Sequence, residues 1–257
     1  LGIALVAPYL PSVLRMPLLR LSLALAPGIW LYGMVDAWLG AKRQDSYQLQ
    51  AWLLSGVYLL VFLLCNTLAL PLLIDYVRVH QVASYRIPST SMEPSLLQGD
   101  VFFADKRYNC PGCNSAVQRG DVAIFTYPNY RTLSYIKRVI GLPGDRVRIQ
   151  GHDVWVNGTP LKVGETQTPS GLTVTESLAG RTWVVQWTAP DKRSTETDLT
   201  VPPGQALVLG DNRSTSQDTR QFGTVPLQDI VGKASHIWFS MGAGDGIRWS
   251  RFGRAVL

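Results

Sequence analysis

The sequence predicts an all-β domain of mixed antiparallel β-sheets preceded by N-terminal transmembrane α-helices. Three observations predict it. Charge is sparse at the start: of the 42 Asp, Glu, Lys and Arg residues, only eight lie in the first 80 positions. A long uncharged run then closes that region, and short, turn-punctuated strand patterns fill the remainder of the chain. With 257 residues, the chain can build one or two units that each bury a core.

The run Trp52–Ile74 holds 23 residues without a charge. As a helix it measures about 34 Å, enough to cross a bilayer core. Asn66 and Pro71 are tolerated in such a helix when the backbone groups they disturb find partners. A second, largely apolar helix is expected near Met16–Leu39, with Arg20 and Asp36 marking its ends. Leu1–Val13 is too short to assign. Residues 1–79 are therefore read as a membrane anchor. Lys42 and Arg43 sit in the link between the two helices, and the positive-inside tendency puts that link in the cytoplasm, so the chain after Ile74 emerges on the far side. Arg15 and Arg20 then fall near the outer face, against the rule. A chain opening on Leu1 rather than Met is expected to lack its natural N-terminus, which would account for the mismatch.

Residues 80–257 are read as the β domain. Asp121–Phe125, Ser134–Ile140, Arg146–Gln150, Asp153–Val156, Arg181–Thr188, Ala206–Leu209 and Ile237–Ser240 carry strand patterns. Asn157-Gly158 marks a hairpin, because both residues tolerate positive φ. A sub-region protruding over about 150–203 is expected, and there is no internal repeat.

The net charge of +6 divides as +2 and +4 between the two regions, with no Lys/Arg cluster and no aromatic stacking platform. That argues against nucleic-acid binding; a mildly basic domain suits anionic lipid head groups. Cys110-Pro-Gly-Cys113 has no further Cys or nearby His to complete a zinc set, so no closed metal site is expected. A loop disulfide in an oxidising compartment is its favoured reading, ahead of a redox dithiol, with a partial zinc knuckle third.

Three segments carry chemistry. Ile87–Asp100 (IPSTSMEPSLLQGD) sets three hydroxyls, Ser89, Thr90 and Ser91, between Pro88 and Pro94. Proline fixes φ and removes a donor, so this is a held, irregular loop that can aim a hydroxyl. In Tyr135–Asp145 (YIKRVIGLPGD), strand alternation puts Tyr135, Lys137 and Val139 on one face and Ile136, Arg138 and Ile140 on the other. Apolar neighbours would lower the Lys137 pKa and supply a neutral amine near neutral pH, although a lysine in such a strand, read by itself, more often snorkels from the strand edge into solvent. Leu209–Pro226 (LGDNRSTSQDTRQFGTVP) reads by itself as a solvated loop held by Asp–Arg pairs. The β-lactamase pattern Ser-x-x-Lys fails, because Pro94 stands three after Ser91. His80, His152 and His236 lie in no Ser-His setting.

Taken together, Pro88–Pro94, Arg119–Val122, Tyr135–Asp145 and Gly210–Arg213 resemble, in order, the motifs of bacterial type I signal peptidases. The tail Ile247–Arg254 is similar to that family's closing strand, and the likeness covers roughly residues 80–254. The resemblance implies a membrane-bound endopeptidase with Ser91 as nucleophile and Lys137 as general base. Ser89 would form the oxyanion hole with the Ser91 N–H, Ser216 would orient the lysine amine, and Asp218 and Arg220 would support the site. Ser214-Thr215 and Thr219 depart from the usual residues, and Ser214 competes with Ser216 for its role. Tyr85, Ile87, Tyr135 and Ile136 would wall pockets for small residues of an A-x-A-like site, with the peptide added as a strand beside Ile136.

The implied partners are preprotein signal peptides and the lipid bilayer. The implied location is the bacterial cytoplasmic (inner) membrane, multi-pass, with the catalytic domain outside, and no metal or cofactor is required. The rival readings are a pilin or conjugation peptidase of the same family, a self-cleaving repressor, which membrane helices disfavour, and an inactive membrane-anchored binding module.

Overall fold

A computed structural model of the chain describes residues 28, 31–36, 38–39, 42, 60–109, 113, 115–169, 171–188, 196–242, 244 and 246–256. Most of the expected helix near 16–39, the first part of 52–74, Arg43 and Cys110 lie outside the described residues. The chain divides into two compact units, 1–81 and 82–257.

In the first unit, residues 60–64 are helical and lead through a π-helical turn, Cys65–Ala69, into α1, Leu70–His80. The wide turn precedes Pro71, which has no N–H to give: the Leu70 N–H reaches back to the Cys65 carbonyl instead. Asn66 and Thr67 return side-chain bonds to the Phe62 and Leu63 carbonyls at 2.8 and 2.6 Å. The helix runs past Ile74 to His80, because Asp75 and Arg78 end an apolar run without ending a helix. Leu60, Phe62, Leu68 and Leu72 are exposed along it. Among the described residues, no helix is long and apolar enough to cross a membrane.

The second unit is built on β1 (Val82–Arg86), β2 (Asp100–Asp105), β3 (Val122–Thr126), β4 (Ser134–Gly141), β5 (Arg146–Gln150), β6 (Asp153–Val156), β7 (Thr159–Pro160), β8 (Lys162–Thr168), β9 (Gly171–Leu178), β10 (Arg181–Thr188), β11 (Thr197–Thr200), β12 (Gln205–Leu209), β13 (Val225–Pro226), β14 (Ile230–Gly242) and β15 (Gly246–Ile247). The main sheet runs β1-β2-β14-β3-β4-β12-β13, with β15 beside β14. Between β4 and β12 the chain makes two smaller sheets, β11-β5-β6-β7 and β10-β9-β8. Every named strand pair is antiparallel. Asn157 and Gly158 turn β6 into β7 with φ of 53° and 80°.

Strand alternation sorts the apolar side chains onto two faces of the main sheet. One face carries Phe102, Ala104, Val122, Ile124 and Ile237, closed by Ile87, Met92 and Leu96. The other carries Ala123, Phe125, Val139, Val208 and Ile230. A third cluster joins the small sheets to β4 and β12 through Ile140, Leu207 and Leu209, packed with Trp183 and Trp187.

The tail is not the strand its sequence suggests. After β15 it folds into a 3₁₀ turn, Trp249–Arg251, and rejoins β14 through the single bridge His236–Ala255. Arg251 dictates this: its guanidinium is buried on Asp100 and the Ser95 carbonyl, which pulls the chain out of line. Cys113 is disulfide-bonded and Cys65 is free.

Candidate active site

The loop that carries Ser91 is pinned from both sides. Met92 and Leu96 are fully buried beneath it, and Ile87 and Gly99 close it by N–H bonds to the Asp100 and Ile87 carbonyls at 2.8 and 2.9 Å. The Gln98 amide donates to the Pro88 carbonyl at 2.8 Å. Ser91 is thereby held at the mouth of the domain with Ser89 beside it, the two hydroxyl oxygens 3.2 Å apart.

β4 supplies the lysine. Tyr135 and Lys137 share the strand face that continues into Val139, and the Lys137 amine lies 5.6 Å from the Tyr135 ring centroid. The Lys137 side chain is only 4% exposed. Its Nζ sits 2.9 Å from Ser91 Oγ, joining residues 46 apart in the chain. Burial is the main influence on the amine and pushes its pKa down from 10.5 to about 8. Asp218 and Asp211 pull the other way without reversing the shift, and Arg220 adds to the lowering. The sequence predicts no carboxylate close enough to reverse the shift, and the two that act on the amine do not reverse it.

The segment after β12 is not a solvated loop. Asp211, Asn212, Arg213, Ser216 and Asp218 are all buried. The Asn212 N–H donates to the Ser91 carbonyl at 3.1 Å, tying this segment to the nucleophile loop. Arg220 pairs with Asp218 at 2.8 Å. Burial alone would raise the Asp218 pKa, yet the Arg220 guanidinium, the Gly210 N–H and the Ser216 hydroxyl hold it below the usual carboxylate value. Ser216 is completely buried and engages Asp218, whereas Ser214 is half-buried.

A cleft of about 300 Å³ opens over the pair, lined by Pro88, Ser89, Ser91, Ser134, Tyr135, Ile136, Lys137, Thr215 and Gln217. Of the four residues expected to wall substrate pockets, Tyr135 and Ile136 line this cleft. Tyr85 and Ile87 do not line this cleft: Ile87 is buried in the core, and Tyr85 stacks on Phe102 with ring centroids 6.0 Å apart. Pro88, Ser134, Thr215 and Gln217 are the wall residues that sequence reasoning misses. On its β3 edge, β4 is paired from Ser134 to Arg138. On its β12 edge, the described pairing begins only at Arg138. Ser134–Lys137 therefore present one edge with no strand partner among the described residues.

Two further residues had a readable signal. Arg138 falls in an apolar strand, and a buried guanidinium requires an acidic partner. That partner is Asp211, bonded at 2.6 and 2.8 Å; the same Arg138 also reaches the Gly120 carbonyl and Ser95 Oγ. His152 packs on Trp187, and the His236 ring contacts Ser235 Oγ at 2.8 Å. Among the described residues no group of His, Cys, Asp and Glu is arranged to hold a metal ion.

The sequence matches the family model described as "Signal peptidase, peptidase S26" over residues 58–239. Signal peptidase I of Rickettsia typhi is 31% identical over 212 residues, covering 70% of this chain and 77% of that protein. Signal peptidase I of Pseudomonas aeruginosa is 33% identical over 209 residues, covering 66% and 74%. A crystal structure of a signal peptidase I from Enterococcus faecalis is 28% identical and covers 46% of this chain and 95% of that one, with a TM-score of 0.31.

Proposed function

The chain belongs to the signal peptidase family, peptidase S26, and on that premise we propose that Ser91 and Lys137 are the working pair of a membrane-bound endopeptidase that removes signal peptides from secreted preproteins. One observation carries this reading: the Lys137 amine, buried and depressed to about 8, lies 2.9 Å from the Ser91 hydroxyl on the floor of an open cleft. A neutral amine at that distance accepts the Oγ proton as the oxygen attacks the scissile carbonyl. The carbonyl oxygen becomes an oxyanion, received by the Ser91 N–H and Ser89 Oγ; donors so aimed are worth ~3 to 4 kcal/mol each. When the C–N bond breaks, Lys137 returns the proton to the leaving amine. Water then attacks the acyl-Ser91 ester, giving a proton to Lys137, which passes it to Ser91 Oγ as the ester C–O bond breaks and the product carboxylic acid leaves. Ser216 and the Asp218–Arg220 pair keep the amine aimed.

The substrate adds as an extended strand along the open edge of Ser134–Lys137, where backbone bonds fix its register. Tyr135 and Ile136, on the wall of the cleft, would select small side chains before the cut. The exposed apolar helix from Leu60 serves as the end of a membrane anchor, with the β domain on the extracytoplasmic side and the Lys42–Arg43 link inside. Protease added outside spheroplasts is expected to digest the β domain and spare that link; cleavage at the link would reverse the orientation.

The test of the function is direct. Purified, detergent-solubilised full chain should convert a secretory preprotein to its mature form, with mass spectrometry placing the cut after a small-x-small sequence. No cut in any secretory preprotein, or a cut restricted to a dedicated pilin-type substrate, would reject the reading. Because only the neutral amine is a base, kcat/KM should climb with pH through about 8, the Lys137 pKa. A flat profile from pH 6 to 9 would exclude this amine as the titrating base.

A further inference from the structure

We propose that Glu176, on β9 of the inserted small sheets, is a positioning residue for the Ser91–Lys137 centre, acting through Arg213 and Gly210; this rests on that pair being the catalytic one. Strand β9 lies far from the family motifs in sequence. Nonetheless Glu176 is 1% exposed, as is Arg213. Glu176 Oε2 accepts from Arg213 Nη2 at 2.5 Å and from Trp183 Nε1 at 2.9 Å. Two fully buried opposite charges stand together because either alone would be strongly disfavoured.

Arg213 spends its other contacts on the catalytic segment. Its Nε donates to the Gly210 carbonyl at 3.1 Å, and its own carbonyl accepts from Arg220 Nη2 at 2.7 Å. Its backbone N–H donates to the Gln186 carbonyl at 2.8 Å, while the Gln186 N–H donates to the Asp211 carbonyl at 2.9 Å. β10 therefore lies against residues 211–213 as a short parallel ledge, with Gln186 opposite Asn212. Gly210, whose carbonyl Arg213 grips, is the residue on which Ser216 and the Ser91 carbonyl rest. Glu176 thus sets where Arg213 sits, Arg213 sets the path of 210–213, and that path sets the distance between the nucleophile loop and the groups around Lys137. On this view the inserted sheets are part of the frame of the active site.

A merely structural ion pair and a positioning one respond oppositely to apolar replacement. Glu176→Gln, which keeps the shape and removes the charge, should lower both the melting temperature and kcat, leaving KM within about 2-fold. The triple variant Glu176→Met/Arg213→Met/Trp183→Phe replaces the whole polar unit, and such swaps commonly restore stability. Its melting temperature should recover, but its kcat should fall roughly 10- to 100-fold below wild type, because nothing then grips the Gly210 carbonyl. A triple variant that melts like wild type and cleaves at the wild-type kcat overturns the proposal. If the triple variant does not fold, wild-type kcat in Glu176→Gln, assayed below its melting point, overturns it equally. Ser91→Ala run alongside separates the two readings: activity there removes the dyad assignment, whereas an inactive Ser91→Ala beside a fully active triple variant removes only the role of Glu176.

Discussion

Ser91→Ala and Lys137→Met are each expected to lower kcat/KM for preprotein cleavage by roughly 10⁴-fold or more, with the double variant little worse than either. The reason is geometric: in the proposed mechanism one proton passes between two atoms that lie 2.9 Å apart, so losing either end loses the whole transfer. Full-length preprotein with quantified mature product is the measurement. A folded single variant within tenfold of wild type would end the assignment. Lys137→Met should also melt higher than wild type at pH 7. The folded-state pKa of about 8 lies below the ordinary 10.5, so the folded chain binds this proton more weakly than the unfolded chain does. At pH 7 that costs roughly 3 kcal/mol of stability. The cost disappears in the wild type as pH rises from 8 to 10.5, so the advantage of the Met variant should shrink across that window. Equal melting temperatures at pH 7 would count against a desolvated ammonium at this site.

Gly210→Ala should lose roughly 100-fold in kcat, although it adds one methyl group. A Cβ at residue 210 would stand 2.1 Å from Ser216 Oγ, 2.4 Å from Ser216 Cβ and 2.6 Å from the Ser91 carbonyl oxygen. Rotating the Ser216 hydroxyl aside would not relieve this, because Ser216 Cβ and the Ser91 carbonyl are fixed by the backbone, so the nucleophile loop and the Ser216 turn must separate. The requirement at this glycine is space: its backbone lies outside the positive-φ region, so conformational freedom is not the reason. Gly164→Ala on β8 is the matched control, since its nearest neighbour would be Thr175 Cβ at 3.9 Å. A Gly210→Ala enzyme that folds and turns over at the wild-type rate, with the control unchanged, would show that the close packing here has no bearing on catalysis.

Local chemistry was readable where it repeats over a few residues. Arg146–Gln150, Asp153–Val156 and Arg181–Thr188 are strands with the bounds their alternation suggests. Asn157-Gly158 makes the hairpin because both residues accept positive φ. The shared face of Tyr135, Lys137 and Val139 comes from the period of two in a strand. Less regular strands escaped: β8, with Lys162, Glu165 and Gln167 nearly all in solvent, offers no apolar face to betray it. β14 runs 13 residues with register shifts that break its alternation, so only Ile237–Ser240 stood out. Residues outside the described set carry the rest of the anchor reading.

The order of motifs, the hydroxyl cluster at Ser89–Ser91 and a lysine on an apolar strand face belong to the sequence alone, because each depends on residue type and near neighbours. The strand order β1-β2-β14-β3-β4-β12-β13 depended on the tertiary structure. So did the burial of the Asp211–Asp218 segment, the walls of the cleft and the 3₁₀ turn that Arg251 draws toward Asp100. Alternation states which side of a strand is apolar but not which strand will cover it, and a charge can be buried only once its partner arrives from elsewhere in the chain.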